Sequence, residues 1–438
     1  MAHDPKVLDE IVESLRLGEV PNVGLDLIGT GIDDRLVAFE RELPRIEQGA
    51  GRIRFIRGDF GTGKTFFLKA FAARANAAGF ATAYVRVSYP DLPLRSLALY
   101  SGVARNVRSR RETHGFFRNA LDRWLFRVGE RVQDATYGKG IAEIDPGYAD
   151  AVTAEMRVML GGLFDRAPNF AQALAAYGRA LDADDADIAR GLLQWLAGDP
   201  HVAADVKRFA HLRGALNDED ALPMFSGLTT VLTQSGSKGL VVLIDEAERV
   251  LRQPLPATRM SAYTTLQNLI GALGEELHHM LVVVSGTSDL FDSQRGFRAL
   301  EPLRQRVDTT FEHGGFEDLD AVQVRLPPFD RGRLVLVGHR IRELYIELTS
   351  DASLTSRVDD DVLGVIADDT IGAFGGRVAI APRQFFRETV SVLSRARQHP
   401  DFDPRTYHVD AAALRSVTLD EREVAAIEDQ PALGALDI

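Results

Sequence analysis

The sequence predicts an α/β fold built on a mainly parallel sheet. Three observations predict it. A strand, glycine turn and helix follow one another over 52–79 in "RIRFIRGDFGTGKTFFLKAFAARANAAG", a second strand "ATAYVRVS" follows at 81–88, and two fully apolar runs return at 239–244 and 281–284. Short uninterrupted apolar runs of this kind are the mark of strands buried on both faces, which parallel sheets contain. With 438 residues and a 45% hydrophobic share, the chain has ample material for a core and for more than one domain.

Taken in order, residues 1–50 read as an N-terminal helical and linker segment around the Pro/Gly-rich connector "PNVGLDLIGTGIDDR" at 21–35. Residues 51–330 read as the α/β core. "IRFI" is its first strand, Lys64 to about Ala77 its first helix, and the strand at 81–88 closes a βαβ unit expected to pair in parallel. From about 95 to 228 the alternation stops, no strand is expected, and "FFRNALDRWLFRVGERV" and "ARGLLQWLAGD" carry helical periodicity, so this stretch reads as a helical insertion. Its Trp124 and Trp195, the two tryptophans of the chain, are expected in helical core. The strands "GLVVLIDE" at 239–246, "MLVVVSGTS" at 280–288 and "AVQVRLPPF" at 321–329 complete the sheet, with a long helix near 260–277. Residues 331–438 read as a C-terminal helical lid with an acidic tail.

Composition narrows the function. No segment approaches the roughly 20 apolar residues of a membrane span, and the start "MAHDPKVLDEIVESL" lacks the apolar stretch of a secretory signal, so no membrane association and a cytoplasmic location are expected. Zero cysteines exclude disulfides and thiolate chemistry, and a net charge of −12 argues against a protein that coats nucleic acid.

The chemistry concentrates in three places. "GDFGTGKTF", residues Gly58, Asp59, Phe60, Gly61, Thr62, Gly63, Lys64, Thr65 and Phe66, fits G-x-x-x-x-G-K-[ST] between a strand and a helix. In that frame backbone N–H groups turn toward a β-phosphate at the positive end of a helix. Lys64 is expected on the β- and γ-phosphates of ATP, and Thr65 on Mg²⁺. The strand "LVVLI" ends in Asp245 and Glu246, where open α/β sheets bind ligands. Asp245 is the expected holder of Mg²⁺, and Glu246 the residue that orients or deprotonates the attacking water. The third place is "VVVSGTSDL", whose Thr287 and Ser288 are expected to sense the γ-phosphate, followed by Arg295, Arg298, Arg304 and Arg306. Arg306, and after it Arg304, is the candidate to reach the nucleotide of a neighbouring subunit, and Arg383 in "APRQFFRETV" the candidate to reach it from the lid.

This order of motifs resembles the AAA+ and related P-loop ATPases, with Lys64 and Thr65 matching Walker A, Asp245 and Glu246 Walker B, Ser288 or Thr287 the first sensor and Arg383 the second. The wording of "FIRGDFGTGKTFFLKAFAARANAAGFATAYVRVS", "LALYSGVARNVR", "LLQWLAGDP", "GLVVLIDEAERV" and "VVSGTSDLF" is similar, over about 20–395, to the ATP-binding proteins of bacterial BREX-type phage-defence systems. That resemblance implies ATPase activity in defence, with a homo-oligomer, DNA, and a helicase or other phage-defence proteins as candidate partners. A nucleotide-gated scaffold with negligible turnover is the alternative expectation.

Other signals are weaker. "ARNVRSRRETHGFFRNALDRW" at 104–124 interleaves arginines with Phe116, Phe117 and Trp124, a pattern that suits either single-stranded nucleic acid or a solvated helix face. His278 and His279 are adjacent and diverge by about 100° on a helix, a poor metal pair.

Overall fold

A computed structural model describes residues 3–134, 147–313, 316–373 and 381–410. At its centre is a six-stranded sheet made of β1 (Gly51–Arg57), β2 (Ala81–Arg86), β3 (Val107–Arg108), β4 (Leu240–Asp245), β5 (Met280–Gly286) and, after the small antiparallel ribbon β6 (Glu312–His313) and β7 (Phe316–Glu317), β8 (Gln323–Arg325). The spatial order is β3-β2-β4-β5-β1-β8, parallel throughout except where β3 runs antiparallel to β2.

The pleat explains how two faces share the same apolar strands. Val241 and Leu243 of β4, Leu281 and Val283 of β5 and Ile56 of β1 point to one face. They meet Phe67, Leu68 and Phe71 of helix Lys64–Ala77, with Phe39 and Ile46 from the N-terminal region. Val242, Ile244, Val282, Val284 and Phe55 point to the other face, where helices of the 96–234 stretch and helix Pro256–Glu275 cover them. Trp124 and Trp195 belong to this second cluster, as do Phe116 and Phe117. The aromatics of 104–124 are therefore core, and none is placed to stack on a base.

A third cluster forms away from the sheet. Helices Arg331–Thr349, Asp360–Ala373 and Ala381–Gln398 pack together, and helix Pro5–Leu17 joins them through Leu8, Ile11, Val12 and Leu15. Asp4 caps that N-terminal helix by accepting from the Lys6 N–H at 2.9 Å, and Gly18 ends it with φ 73°. The first fifty residues are thus shared: Pro5–Leu17 lies on the C-terminal bundle, whereas Asp33–Glu40 and Leu43–Glu47 lie on the sheet.

Three expectations are corrected. β1 and β2 are parallel but not neighbours, because β4 and β5, apolar at almost every position and buried on both faces, take the centre between them. The 95–228 stretch is not free of strand: Val107 and Arg108 add β3 to the sheet edge. The last strand is three residues rather than nine, since Pro327 and Pro328 have no N–H to continue a ladder. The acidic tail beyond residue 410 lies outside the described residues.

Candidate functional site

β1 delivers the chain to the turn 58–63 at the carboxyl edge of the sheet. Gly61 and Gly63 adopt φ 74° and 90°, a region that costs glycine nothing and other residues a steric clash. Gly58 is needed for a different reason: a Cβ there would lie 2.5 Å from the Thr62 hydroxyl, which donates to the Asp59 carbonyl at 2.9 Å. Helix Lys64–Ala77 then begins, so its first N–H groups face the turn without intrahelical acceptors. The buried Lys64 ammonium donates to the Gly58 carbonyl at 2.7 Å and the Asp59 carbonyl at 3.1 Å and lies 5.5 Å from the centre of the Phe60 ring.

Asp245, fully buried at the end of β4, is held from two neighbouring strands, one helix and the residue that follows it. Its Oδ2 accepts from the Thr65 hydroxyl at 2.7 Å and from the Tyr84 phenol at 2.5 Å. Its Oδ1 accepts from the Ser285 hydroxyl at 2.5 Å and the Glu246 N–H at 3.0 Å. Burial, followed by the neighbouring Asp245 charge, pushes the Tyr84 phenol far above its ordinary pKa, so it stays a donor. Thr65 and Asp245 together offer hard oxygen ligands of the kind Mg²⁺ prefers. Among the described residues no cluster of three or more acidic or histidine side chains could hold a metal ion. A Mg²⁺ ion held here would therefore take the rest of its shell from water and phosphate oxygens, which is how that ion is usually bound in nucleotide sites.

Past Asp245 the chain turns sharply. Glu246 sits at φ 59°, ψ 39°, a left-handed conformation uncommon for a residue with a side chain and associated with functional sites. Its Oε2 accepts from Arg249 Nε at 2.5 Å, and its Oε1 lies 3.7 Å from Arg86 Nε. Two residues on, the buried Glu248 places Oε1 3.9 Å from Lys64 Nζ. Burial raises the Glu248 carboxyl pKa against the opposing pull of the Lys64 charge.

Lys64, Thr65, Arg86, Asp245, Glu246, Glu248 and Arg249 line one cavity of about 510 Å³. Its floor is the turn 60–65. One wall is the connector, at 18–22 and 28–32, which Lys69 ties down by donating to the Val20 carbonyl at 2.9 Å and the Asn22 side chain at 3.0 Å. The adjoining wall comes from the C-terminal region: Phe329, Arg333, Ile341, Pro382, Arg383 and Phe386, with Arg383 packed against Gly18 and Arg333 against Gly31.

The expected residues are distributed unevenly. Phe60, Gly61, Thr62, Gly63, Lys64, Thr65, Phe66, Asp245, Glu246 and Arg383 line the cavity; Gly58 and Asp59 lie under it. Thr287 and Ser288 follow the strand beside the Asp245 strand, but neither reaches Asp245. Ser288 instead donates its N–H to Asp59 Oδ1 at 3.4 Å and accepts from Arg57 Nε at 3.4 Å. Arg304 and Arg306, on helix Glu301–Val307, lie outside the cavity of their own chain; Arg304 pairs with Glu301 and Asp308, and Arg306 is exposed. The structure adds Tyr84, Ser285, Glu248, Arg86, Arg249 and Arg333. Ser285 stood within the quoted "VVVSGTSDL", and strand register alone distinguishes it from Ser288: Ile244 pairs with Val284, so Asp245 and Ser285 come side by side.

A mostly parallel α/β sheet with a lysine-bearing glycine turn and a carboxylate at its carboxyl edge fits the P-loop-like class of α/β proteins. The chain matches the family model of the BREX system ATP-binding protein BrxC/D over residues 4–411 and belongs to that family. ATP binding in bacterial phage defence is accordingly its class of function. No curated protein matches the chain. No helix among the described residues is long and apolar enough to cross a membrane.

Proposed function

We propose that this chain hydrolyses ATP with Mg²⁺ and converts the presence of the γ-phosphate into movement of the C-terminal bundle, in the manner of an AAA+-like ATPase. The observation that carries the reading is the convergence of Lys64, Thr65 and Asp245 on one cavity, with Thr65 Oγ1 and Asp245 Oδ2 2.7 Å apart.

In this reading the turn N–H groups and Lys64 bind the β- and γ-phosphates. Thr65 and Asp245 hold Mg²⁺, which when bound neutralises charge on the phosphate oxygens. Tyr84 and Ser285 fix the Asp245 carboxylate. Glu246 orients the attacking water, and Arg383, with Arg333 beside it, brings the bundle to the nucleotide as a lid. Thr287 and Ser288, through Arg57 and Asp59, report the state of the turn. Arg306 or Arg304 acts in trans within a homo-oligomer. The output passes to DNA or to a helicase or other defence protein. Arg108, Arg110 and Arg111 at the sheet edge are the residues proposed to meet a phosphate backbone.

The grip of Arg249 and Arg86 on Glu246 favours a second reading, in which ATP stabilises an assembly and turnover is negligible. Steady-state hydrolysis by the wild type and Glu246→Gln, with and without DNA, separates the two. DNA-stimulated turnover that Glu246→Gln abolishes supports the ATPase. Tight ATP binding without turnover, and an assembly indifferent to the variant, supports the scaffold.

A further inference from the structure

The segment from the end of β4 carries three carboxylates, Asp245, Glu246 and Glu248, and they differ in the groups that face them. Both oxygens of Asp245 accept hydrogen bonds from the chain's own hydroxyl and N–H donors. Glu246 Oε2 accepts from Arg249, and its Oε1 lies 3.7 Å from Arg86. Glu248 faces the Lys64 ammonium instead. It is 9% exposed, it lines the cavity, and its Oε2 is buried with no hydrogen-bond partner among the described residues. A buried carboxylate oxygen left unmade costs more than an exposed one, and such an oxygen in a native site calls for a ligand or a water.

Its other oxygen fixes where that ligand sits. Glu248 Oε1 lies 3.9 Å from the Lys64 ammonium, the group that meets the β- and γ-phosphates in the proposed function. A water hydrogen-bonded to Glu248 on the cavity side would lie toward Lys64, where the proposed function puts the γ-phosphate. We infer that Glu248 is a second carboxylate of the hydrolytic site, the one that holds the attacking water and takes its proton, while Glu246 serves as an arginine-held orienting group. This inference rests on the ATPase reading above. The water oxygen forms a bond to the γ-phosphorus, and the bond from that phosphorus to the bridging oxygen breaks with its electron pair kept by ADP. One water proton passes to Glu248 and then to solvent, leaving ADP and inorganic phosphate. Burial raises the Glu248 carboxyl pKa against the pull of Lys64, which makes it a stronger proton acceptor than an exposed carboxylate.

The test compares wild type, Lys64→Ala, Glu246→Gln and Glu248→Gln, all full length. It measures affinity for a fluorescent ATP analogue, the single-turnover rate of ATP, and thermal melting. Glu248→Gln is expected to keep nucleotide affinity within about threefold while the single-turnover rate falls about 10²-fold or more, the range of a lost general base. Glu248→Asp, which withdraws the carboxylate by one methylene, is expected to give a smaller loss at unchanged affinity, and it serves in place of the glutamine variant if that fails to fold. A Glu248→Gln rate close to wild type overturns the inference. So does a parallel loss of affinity and rate, which would make Glu248 only the counter-ion of Lys64. Unchanged ATP binding in Lys64→Ala, or wild type that binds ATP without turnover, overturns the ATPase reading itself and is distinguishable from either.

Discussion

The Thr65 hydroxyl donates to Asp245 Oδ2 over 2.7 Å although 180 residues of chain separate them. The connection is short because β4, the strand bearing Asp245, occupies the middle of the sheet and ends beside the N-terminus of helix Lys64–Ala77, which packs across it. Everything proposed for the site follows from that one approach.

Lys64→Ala is the first expected loss. Charge-assisted hydrogen bonds contribute about 1.5–3 kcal/mol each, so ATP affinity is expected to fall on the order of 10- to 100-fold. Titration calorimetry checks this, and an affinity unchanged from wild type would move the phosphates elsewhere.

Glu42 and Arg54 test the sheet face opposite the insertion. Arg54 is 3% exposed, donates to Glu42 Oε1 at 2.9 Å and lies over the Phe39 ring. Burial lowers its pKa despite the Glu42 charge. Glu42→Ala leaves a buried guanidinium without its counter-charge and is expected to cost about 3–5 kcal/mol. Replacing both residues by apolar ones of similar volume is expected to recover most of it. Urea unfolding of the three variants decides; a mild single variant would mean that solvent reaches Arg54.

The buried phenols set an alkaline limit. Burial first, helped for Tyr407 by Glu388, raises Tyr263 and Tyr407 to about 12, and burial also raises Tyr84, Tyr100 and Tyr177. The folded pKa values stand above the unfolded value of about 10, so this stabilisation is complete below about pH 10 and is lost as pH climbs through about 12. Phenolate absorbance followed beside thermal melts should show ionisation and unfolding together in that window. Ionisation of all nine tyrosines near pH 10 in a folded chain would refute it.

Arg306→Ala addresses assembly. Because Arg306 is exposed and outside its own cavity, the variant is expected to slow turnover only at protein concentrations where the chain associates, and to leave ATP affinity in the isolated chain unchanged. Turnover measured across a dilution series, with mass in solution, checks it. An equal loss at all concentrations would place the arginine's action within one chain.

Legibility from sequence divides along a physical line. Lys64, Thr65 and the strand-end pair Asp245 and Glu246 are written in local patterns, because a phosphate cradle needs a fixed spacing of glycines and a strand end needs only a run of apolar residues before it. Ser285 and Tyr84 are not, since their places depend on which strands flank β4 and in what register, and Glu248 is not, since the left-handed turn at Glu246 is what brings it against Lys64. The order that sets β2 on one side of it and β5 on the other arises from competition for the centre of the sheet, which no single window of sequence contains. Arg383 was legible as a helix-borne arginine near a proline. Arg333 was not, because nothing local marks the start of helix Arg331–Thr349 as a cavity wall.

Helix Pro5–Leu17 is synthesised well before the helices that bury Leu8, Ile11 and Leu15, which follow roughly 300 residues later. At 5–20 residues per second that is a wait of about 15 to 60 s. Throughout it the connector that walls the cavity has no fixed outer end. The proposed site is therefore complete only once the C-terminal bundle has been made, and a chain broken off before residue 331 carries the glycine turn without the wall that Arg333, Ile341, Pro382, Arg383 and Phe386 supply.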